Sequence, residues 1–116
     1  TGAADVISDG NRVGRIQNGT PWMSAITGAG CMSDGMLGAF LAAAYRKNKQ
    51  EKENLDIRTL YWKAVTAAVA VMGIAGECAL EQSAGKGTGS FRTALLDAVS
   101  QMTDEQLAAQ LVYSEE

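Results

Sequence analysis

Apolar and polar positions recur along this chain on two different periods, and the changeover comes at Cys31. Residues 4–18 read as a hairpin. Val6 and Ile7 lead into Ser8-Asp9-Gly10-Asn11, and Val13 and Ile16 follow at strand-like spacing. The Asp-Gly and Gly-Asn pairs supply the positive φ of a tight two-residue turn. A second break falls at Asn18-Gly19-Thr20-Pro21, with the only proline of the chain, and Ile26-Thr27-Gly28-Ala29-Gly30 forms a glycine-rich turn. From Cys31 the period becomes helical, with Met32, Met36, Leu37, Phe40, Leu41 and Ala44 on one broad apolar face. That helix is expected to end near Tyr45, with residues 47–56 as a polar connector.

The next helix is expected over Ile57 to about Gln82. From Ala64 to Leu80 only Thr66, Gly73, Gly76 and Glu77 interrupt an apolar run. A helix apolar on nearly all sides must be covered on nearly all sides. Gly73 and Gly76 would each weaken it by about 1 kcal/mol, so they are expected to admit the backbone of a neighbour. A hairpin and two or three further helices cannot enclose such a helix and also complete a sheet, so the fold is expected to need partner surface. After Ser83-Ala84-Gly85-Lys86-Gly87-Thr88-Gly89, Ser90 is placed as the N-cap of a helix carrying Phe91, Ala94, Leu95 and Val99. Thr103 with Gln106 makes a capping box for a short last helix through about Leu111. A hairpin followed by long helices suits the second half of an α/β or α+β fold.

Composition narrows the function. The 116 residues suit one domain, and 47% apolar residues can build a packed core. No window is expected to combine the length and apolarity of a membrane span. The opening Thr-Gly-Ala-Ala-Asp is no signal peptide and lacks an initiator Met, so the gene product is expected to begin elsewhere. A net charge of −3 argues against a nucleic-acid backbone binder. The one basic run, Arg46-Lys47-Asn48-Lys49, reads as a helix C-terminus whose cations meet the negative end of the dipole. There is no histidine, which removes Ser-His-Asp and Cys-His pairs and every His-containing metal site. The two cysteines, Cys31 and Cys78, read as reduced thiols in a cytoplasmic protein, Cys78 as core. Trp22, Met23, Met32 and Met36 read as packing, with Trp22 and Met23 also placed to border a pocket.

The chemistry concentrates at Gly28-Ala29-Gly30-Cys31. Two glycines around an alanine let backbone N–H groups turn inward as an anion site, and the helix that starts there adds its unpaired N–H groups and positive dipole end. Cys31 sits in that field, which favours thiolate over thiol. Asp34 follows one turn on, either as a first-turn carboxylate favoured by the dipole or as a second base. Gly85-Lys86-Gly87-Thr88 is not a Walker A loop, because position 80 is Leu and Gly87 splits the Lys-Thr pair. It reads as a connecting loop that borders a nucleotide at most.

The wording around the turn resembles the ribokinase-like hydroxyethylthiazole kinases. The resemblance rests on Asn18-Gly19-Thr20-Pro21, Ile26-Thr27-Gly28-Ala29-Gly30-Cys31-Met32, Met72-Gly73-Ile74-Ala75-Gly76-Glu77 and Gly87-Thr88-Gly89-Ser90-Phe91-Arg92. The opening Thr1-Gly2, Asp5 and the hairpin Val6 to Gly10 also fit. The sequence departs from that pattern at Ala29, where threonine is common, at Thr20, where histidine is usual, and at Ser33-Asp34-Gly35, where the stretch is more apolar or small.

The resemblance implies that residues 1–116 are the C-terminal half of a single ribokinase-like, three-layer α/β domain about twice as long. It implies transfer of the ATP γ-phosphate, with Mg²⁺, to the hydroxyl of 4-methyl-5-(2-hydroxyethyl)thiazole in thiamine salvage. Thr1 would then contact ATP and Gly28 the thiazole. The N–H groups of Gly28, Ala29, Gly30 and Cys31 would hold the moving phosphoryl group, and Cys31 would act as base. Magnesium ligands would lie outside this chain, and the family's trimers place active sites at subunit boundaries. Two further readings stand beside it: an N-terminal nucleophile hydrolase using Thr1 with its own amine as base, and a non-catalytic fragment that completes another subunit.

Overall fold

The computed structural model describes residues 4–50 and 56–116. Strand β1 (Asp5–Ser8) pairs antiparallel with β2 (Val13–Ile16), Asp5 opposite Ile16 and Ser8 opposite Val13. The connection is therefore a four-residue loop, 9–12, and not the expected two-residue turn. The Asp9 carboxylate explains the longer loop: it accepts the N–H groups of Asn11 and Arg12, each at 2.9 Å, an Asx-type closure. The bond from Asn11, then that from Arg12, lowers the Asp9 carboxyl from its usual 3.8 to about 2. The Arg12 guanidinium also lies 4.5 Å from the centre of the Trp62 ring.

Beyond β2 the chain enters a short 3-10 turn, Pro21–Ala25, whose first amide at Trp22 donates to the Thr20 hydroxyl. Helix α1 spans Ala29–Gln50. It starts two residues before Cys31 because the Gly28 carbonyl already accepts the Met32 N–H at 2.9 Å. It also runs past Tyr45 through the basic segment, with Lys47 and Lys49 in the last turn, where the dipole favours cations. Of the rest of the expected connector, residues 51–55 lie outside the described residues, and Asp56 is the N-cap of the next helix.

Helix α2 (Ile57–Gln82) has the expected bounds. Helix α3 covers Thr88–Ser100 and is capped by Gly87 in place of Ser90. Extended backbone at Gly87 frees its carbonyl for the Phe91 N–H, so Ser90 falls inside the first turn. Helix α4 (Asp104–Gln110) keeps its cap: the Thr103 hydroxyl accepts the Gln106 N–H at 3.1 Å. The Gln106 side chain does not close the box, because it donates instead to Cys78 Sγ at 3.0 Å. Strand β3 (Tyr113–Glu115) then joins the free side of β2, giving the order β1-β2-β3. This strand was not legible as a pattern, since all three of its residues are exposed.

Helix α2 lies at the centre, in contact with α1, α3, α4 and the first two strands. One core cluster joins Ala75 and Ala79 to Phe91, Leu95 and Ala98 of α3, and a second joins Trp62 and Ala70 to Ile7 and Ile16 of the sheet. Burying a side chain such as Phe91 or Ile16 contributes about 1.5–3 kcal/mol. The chain's own elements bury the continuous stretch Ala70–Gly76, which is more cover than the sequence pattern suggested. By length and composition alone α2 could cross a membrane, contrary to the sequence expectation, but 56% of its most apolar window is buried inside the domain.

Both glycines of α2 admit a neighbour. A Cβ on Gly73 would stand 2.6 Å from the Asn18 carbonyl oxygen, and one on Gly76 would stand 2.6 Å from Met23 Sδ. Asn18 is itself buried. Its Nδ2 donates to the Gln110 carbonyl at 2.8 Å and its Oδ1 accepts the Val112 N–H at 2.7 Å, so the end of β2 is clamped to the α4–β3 connection.

Candidate active site

The glycine-rich turn takes the conformation its residues require. Gly28 has φ +98°, which a side chain would strain, and it delivers the chain directly into α1. The first amides of α1 have no partner within the helix and carry the positive end of its dipole. Over Gly30 there is open space: an added Cβ would meet nothing within 4 Å. The turn therefore presents bare backbone.

A cleft of about 870 Å³ opens beside this helix start. One wall is Ala4 with Asp5, Val6 and Ile7 of β1, and another is the segment Gln17–Pro21 with Met23 and Ser24. Ala29, Gly30, Ser33, Asp34 and Leu37 of α1 close a third side, and Ala68, Val69, Met72 and Gly73 of α2 form the floor. Met23, Leu37, Val69 and Met72 make much of the lining apolar, while Asp5, Ser33 and Asp34 add polar groups. Such a mixture suits a compact, largely apolar molecule with one polar end.

The residues singled out from the sequence divide between this cleft and its rim. Ala29 and Gly30 line the cleft, whereas Gly28 and Cys31 do not. Cys31 is exposed in the first turn of α1, about 100° around the helix from Gly30. Asp34 lies on the cleft side. Thr1 lies outside the described residues. Trp22 packs on Phe91 with ring centres 5.7 Å apart, and Met23, not Trp22, reaches the cleft.

Cys78 takes a structural position between α2 and α4, its thiol bonded to Gln106 and lying 3.7 Å from Gln110 Oε1. Burial, with the charges of Glu77 and Glu81 adding, pushes this thiol up, against the hydrogen bond from Gln106. The loop before α3 turns at Gly85, with φ +79°, and Lys86 borders a separate polar hollow of about 390 Å³ with Ser90 and Thr93.

Two residues, one beside the turn and one bonded to Gly19, carried no role in the sequence reading. Arg92 of α3 brings Nη2 to 3.9 Å from the Cβ position of Gly28, so a guanidinium stands beside the anion turn. Glu77 accepts the Gly19 N–H at 2.8 Å. Arg92 appeared only as a letter of a longer motif and Glu77 as that and an interruption of the apolar run, because their contacts join segments far apart in sequence. Among the described residues, no three of His, Cys, Asp and Glu gather as a metal site.

With this geometry in place, comparison with known proteins is direct. The sequence model of the hydroxyethylthiazole kinase family matches residues 1–105. A protein named hydroxyethylthiazole kinase from Ruminiclostridium cellulolyticum is 43% identical over 104 residues, covering 90% of this chain and 33% of that protein. One of the same name from Clostridium beijerinckii is 40% identical over 103 residues, covering 89% of this chain and 32% of the relative. The solved hydroxyethylthiazole kinase of Pyrococcus horikoshii OT3 superposes with a TM-score of 0.77 at 30% identity, over 100% of this chain and 39% of that one. The chain belongs to the hydroxyethylthiazole kinase family.

Its mixed α/β fold, a small antiparallel sheet with four helices, agrees with a piece of the ribokinase-like architecture. The chain spans about a third of the length of the curated relatives it matches. Neither the hydrolase reading of Thr1 nor the non-catalytic reading is favoured by these matches.

Proposed function

We propose that the protein containing this region transfers the γ-phosphoryl group of ATP to the hydroxyl of 4-methyl-5-(2-hydroxyethyl)thiazole, a step of thiamine salvage. The observation that carries the reading is the Gly28 turn. Left-handed backbone there opens a 22-residue helix beside a cleft lined by Ala29 and Gly30. Phosphoryl transfer has a loose transition state, so N–H groups already aimed at the moving phosphoryl matter more than a strong base. The amides of residues 28–31 take that role, with Arg92 adding positive charge beside them. Cys31, exposed at the same helix start, accepts the alcohol proton as the new O–P bond forms and the bond to ADP breaks. Gly28 contacts the thiazole, and the apolar lining of the cleft accommodates its ring.

The ligands of Mg²⁺ are assigned to the rest of the protein, together with the ATP phosphates. Thr1 is assigned to ATP. The same reading makes the N-terminal part of the enzyme this region's partner, in a homotrimer in the cytoplasm, where two free thiols stay reduced.

The test is ADP release by the full-length protein with Mg²⁺ and a panel of alcohols. Hydroxyethylthiazole should turn over. If it does not while hydroxymethylpyrimidine or ribose does, the thiazole assignment fails and the kinase assignment stands. Cys31→Ala should lower kcat by about 10²–10⁴, the range for general-base loss, with ATP affinity little changed. Cys31→Asp should retain substantial activity, because a carboxylate can accept the same proton. Normal turnover by the alanine variant would reduce the thiol to a bystander.

A further inference from the structure

The segment that leads into the anion turn is not held by its own hydrogen bonds alone; it is seated on one face of α2. Gly73, Gly76 and Glu77 are spaced i, i+3 and i+4 and therefore lie on that one face. The two glycines are notches. The Asn18 carbonyl occupies the first, and Met23 with the Thr20 methyl occupies the second. Glu77, exposed on that face, adds a directed bond to the dock, accepting the Gly19 N–H at 2.8 Å where Gly19 takes φ +137°. A carboxylate accepting a backbone N–H makes a stronger bond than a neutral pair. Between Ala64 and Leu80 Glu77 is the only charged residue, in a stretch otherwise apolar apart from Thr66 and the glycines.

From Gly19 the chain passes through the 3-10 turn to Gly28, and both ends of this stretch line the cleft, at Gly19–Pro21 and at Ala29–Gly30. Gly19 lies between the Asn18 clamp and the Met23 notch, so its anchoring sets how the first wall sits relative to the second. We infer that Glu77 is a positioning residue of the phosphoryl-transfer site: its carboxylate locks the Gly19 amide to α2 and so holds the Gln17–Pro21 wall of the cleft in register with the anion turn. This rests on the kinase reading above. Glu77 touches neither substrate nor the reacting atoms, and it acts through Gly19.

The experiment compares Glu77→Ala and Glu77→Gln in the full-length enzyme, with hydroxyethylthiazole and ATP varied separately and amide exchange followed over residues 19–30. A misplacement far from the chemistry can cost about 10²-fold, so the alanine variant should lose up to that factor in kcat/KM for the alcohol. Its KM for ATP should stay at the wild-type value, a split that a general loss of folding would not produce. The glutamine variant keeps an acceptor oxygen at the same reach and should recover most of the loss. Exchange at Gly19 should quicken in the alanine variant and return toward wild type in the glutamine variant.

Unchanged alcohol kinetics in Glu77→Ala, or a glutamine variant as impaired as the alanine one, would overturn the inference. If the wild-type enzyme phosphorylates no alcohol of the panel, it is the kinase reading that falls. The exchange data still decide the dock then, and unaltered Gly19 exchange in Glu77→Ala would overturn it by itself.

Discussion

Helices α1 and α2 lie against each other and have similar lengths, 22 and 26 residues, and both are rich in alanine and glycine. Yet α2 buries twelve residues and α1 buries only Ala29. The difference is one of employment. In α2 a small residue is a recess that another segment fills, as at Gly73 and Gly76. In α1 it is open backbone: Gly30, Gly35 and Gly38 would each accept a Cβ with nothing within 4 Å. One helix is the frame of the molecule, and the other presents a helix start and a bare flank. The same amino acid therefore carries opposite meanings 35 residues apart, at Gly38 and Gly73.

The comparison can be broken most forcefully at the frame. Phe91 is fully buried against Ala75 and Ala79 of α2. Phe91→Ala should cost about 3–5 kcal/mol, the usual loss for a buried aromatic, measured by denaturant unfolding of the full-length protein. A loss near zero would mean that α2 is not the frame. Gly73→Ala should come next. Its methyl meets the backbone carbonyl of Asn18, which cannot swing aside, and overpacking of this kind costs about 1–3 kcal/mol.

The same substitution at Gly38 should have the opposite sign, a gain approaching 1 kcal/mol from helix propensity alone. Equal signs at the two positions would erase the contrast. A loss at Gly38 in the longer protein would show that another part of it covers this flank.

The smallest effect belongs to the exposed hairpin loop. The folded Asp9 carboxyl titrates near 2, below its usual 3.8. Its stabilisation is therefore present above about pH 4 and fades as pH falls toward 2. Asp9→Asn should flatten that part of the stability profile slightly, and an unaltered acid limb would show that the Asx closure contributes nothing.

How much of this was legible beforehand follows the reach of each interaction. The bounds of α2 came from a 26-residue pattern, and its two glycine notches came from residues that have no other reason to interrupt an apolar helix. The Thr103 cap and the Gly28 turn were legible because their bonds span three or four residues. Misreadings arose where a local rule met a distant competitor or a second local option. Gln106 was free to complete a capping box, but Cys78 takes its amide. Ser90 could cap α3, but Gly87 caps it three residues earlier. Strand β3 has no alternation because none of its side chains is buried, and only its pairing with β2 defines it.

The candidate site divides in the same way. Its anion turn is local and was read from glycines. Arg92 beside Gly28 and Glu77 beneath Gly19 are products of packing between α3, α2 and the loop, for which no short motif exists.

The sheet has a consequence for how the molecule is made. Its central strand takes one partner at once, across a four-residue loop, and the other from residues about a hundred positions later, as the Arg15–Glu116 ion pair at 2.9 Å marks. On the ribosome, β2 must wait with one edge unpaired while the helices are synthesised, several seconds at about 5–20 residues per second. During that interval Asn18 also lacks both of its partners, Gln110 and Val112. The closing of this sheet is thus a late event set by translation, and until then the edge of β2 is open to pairing with another nascent chain.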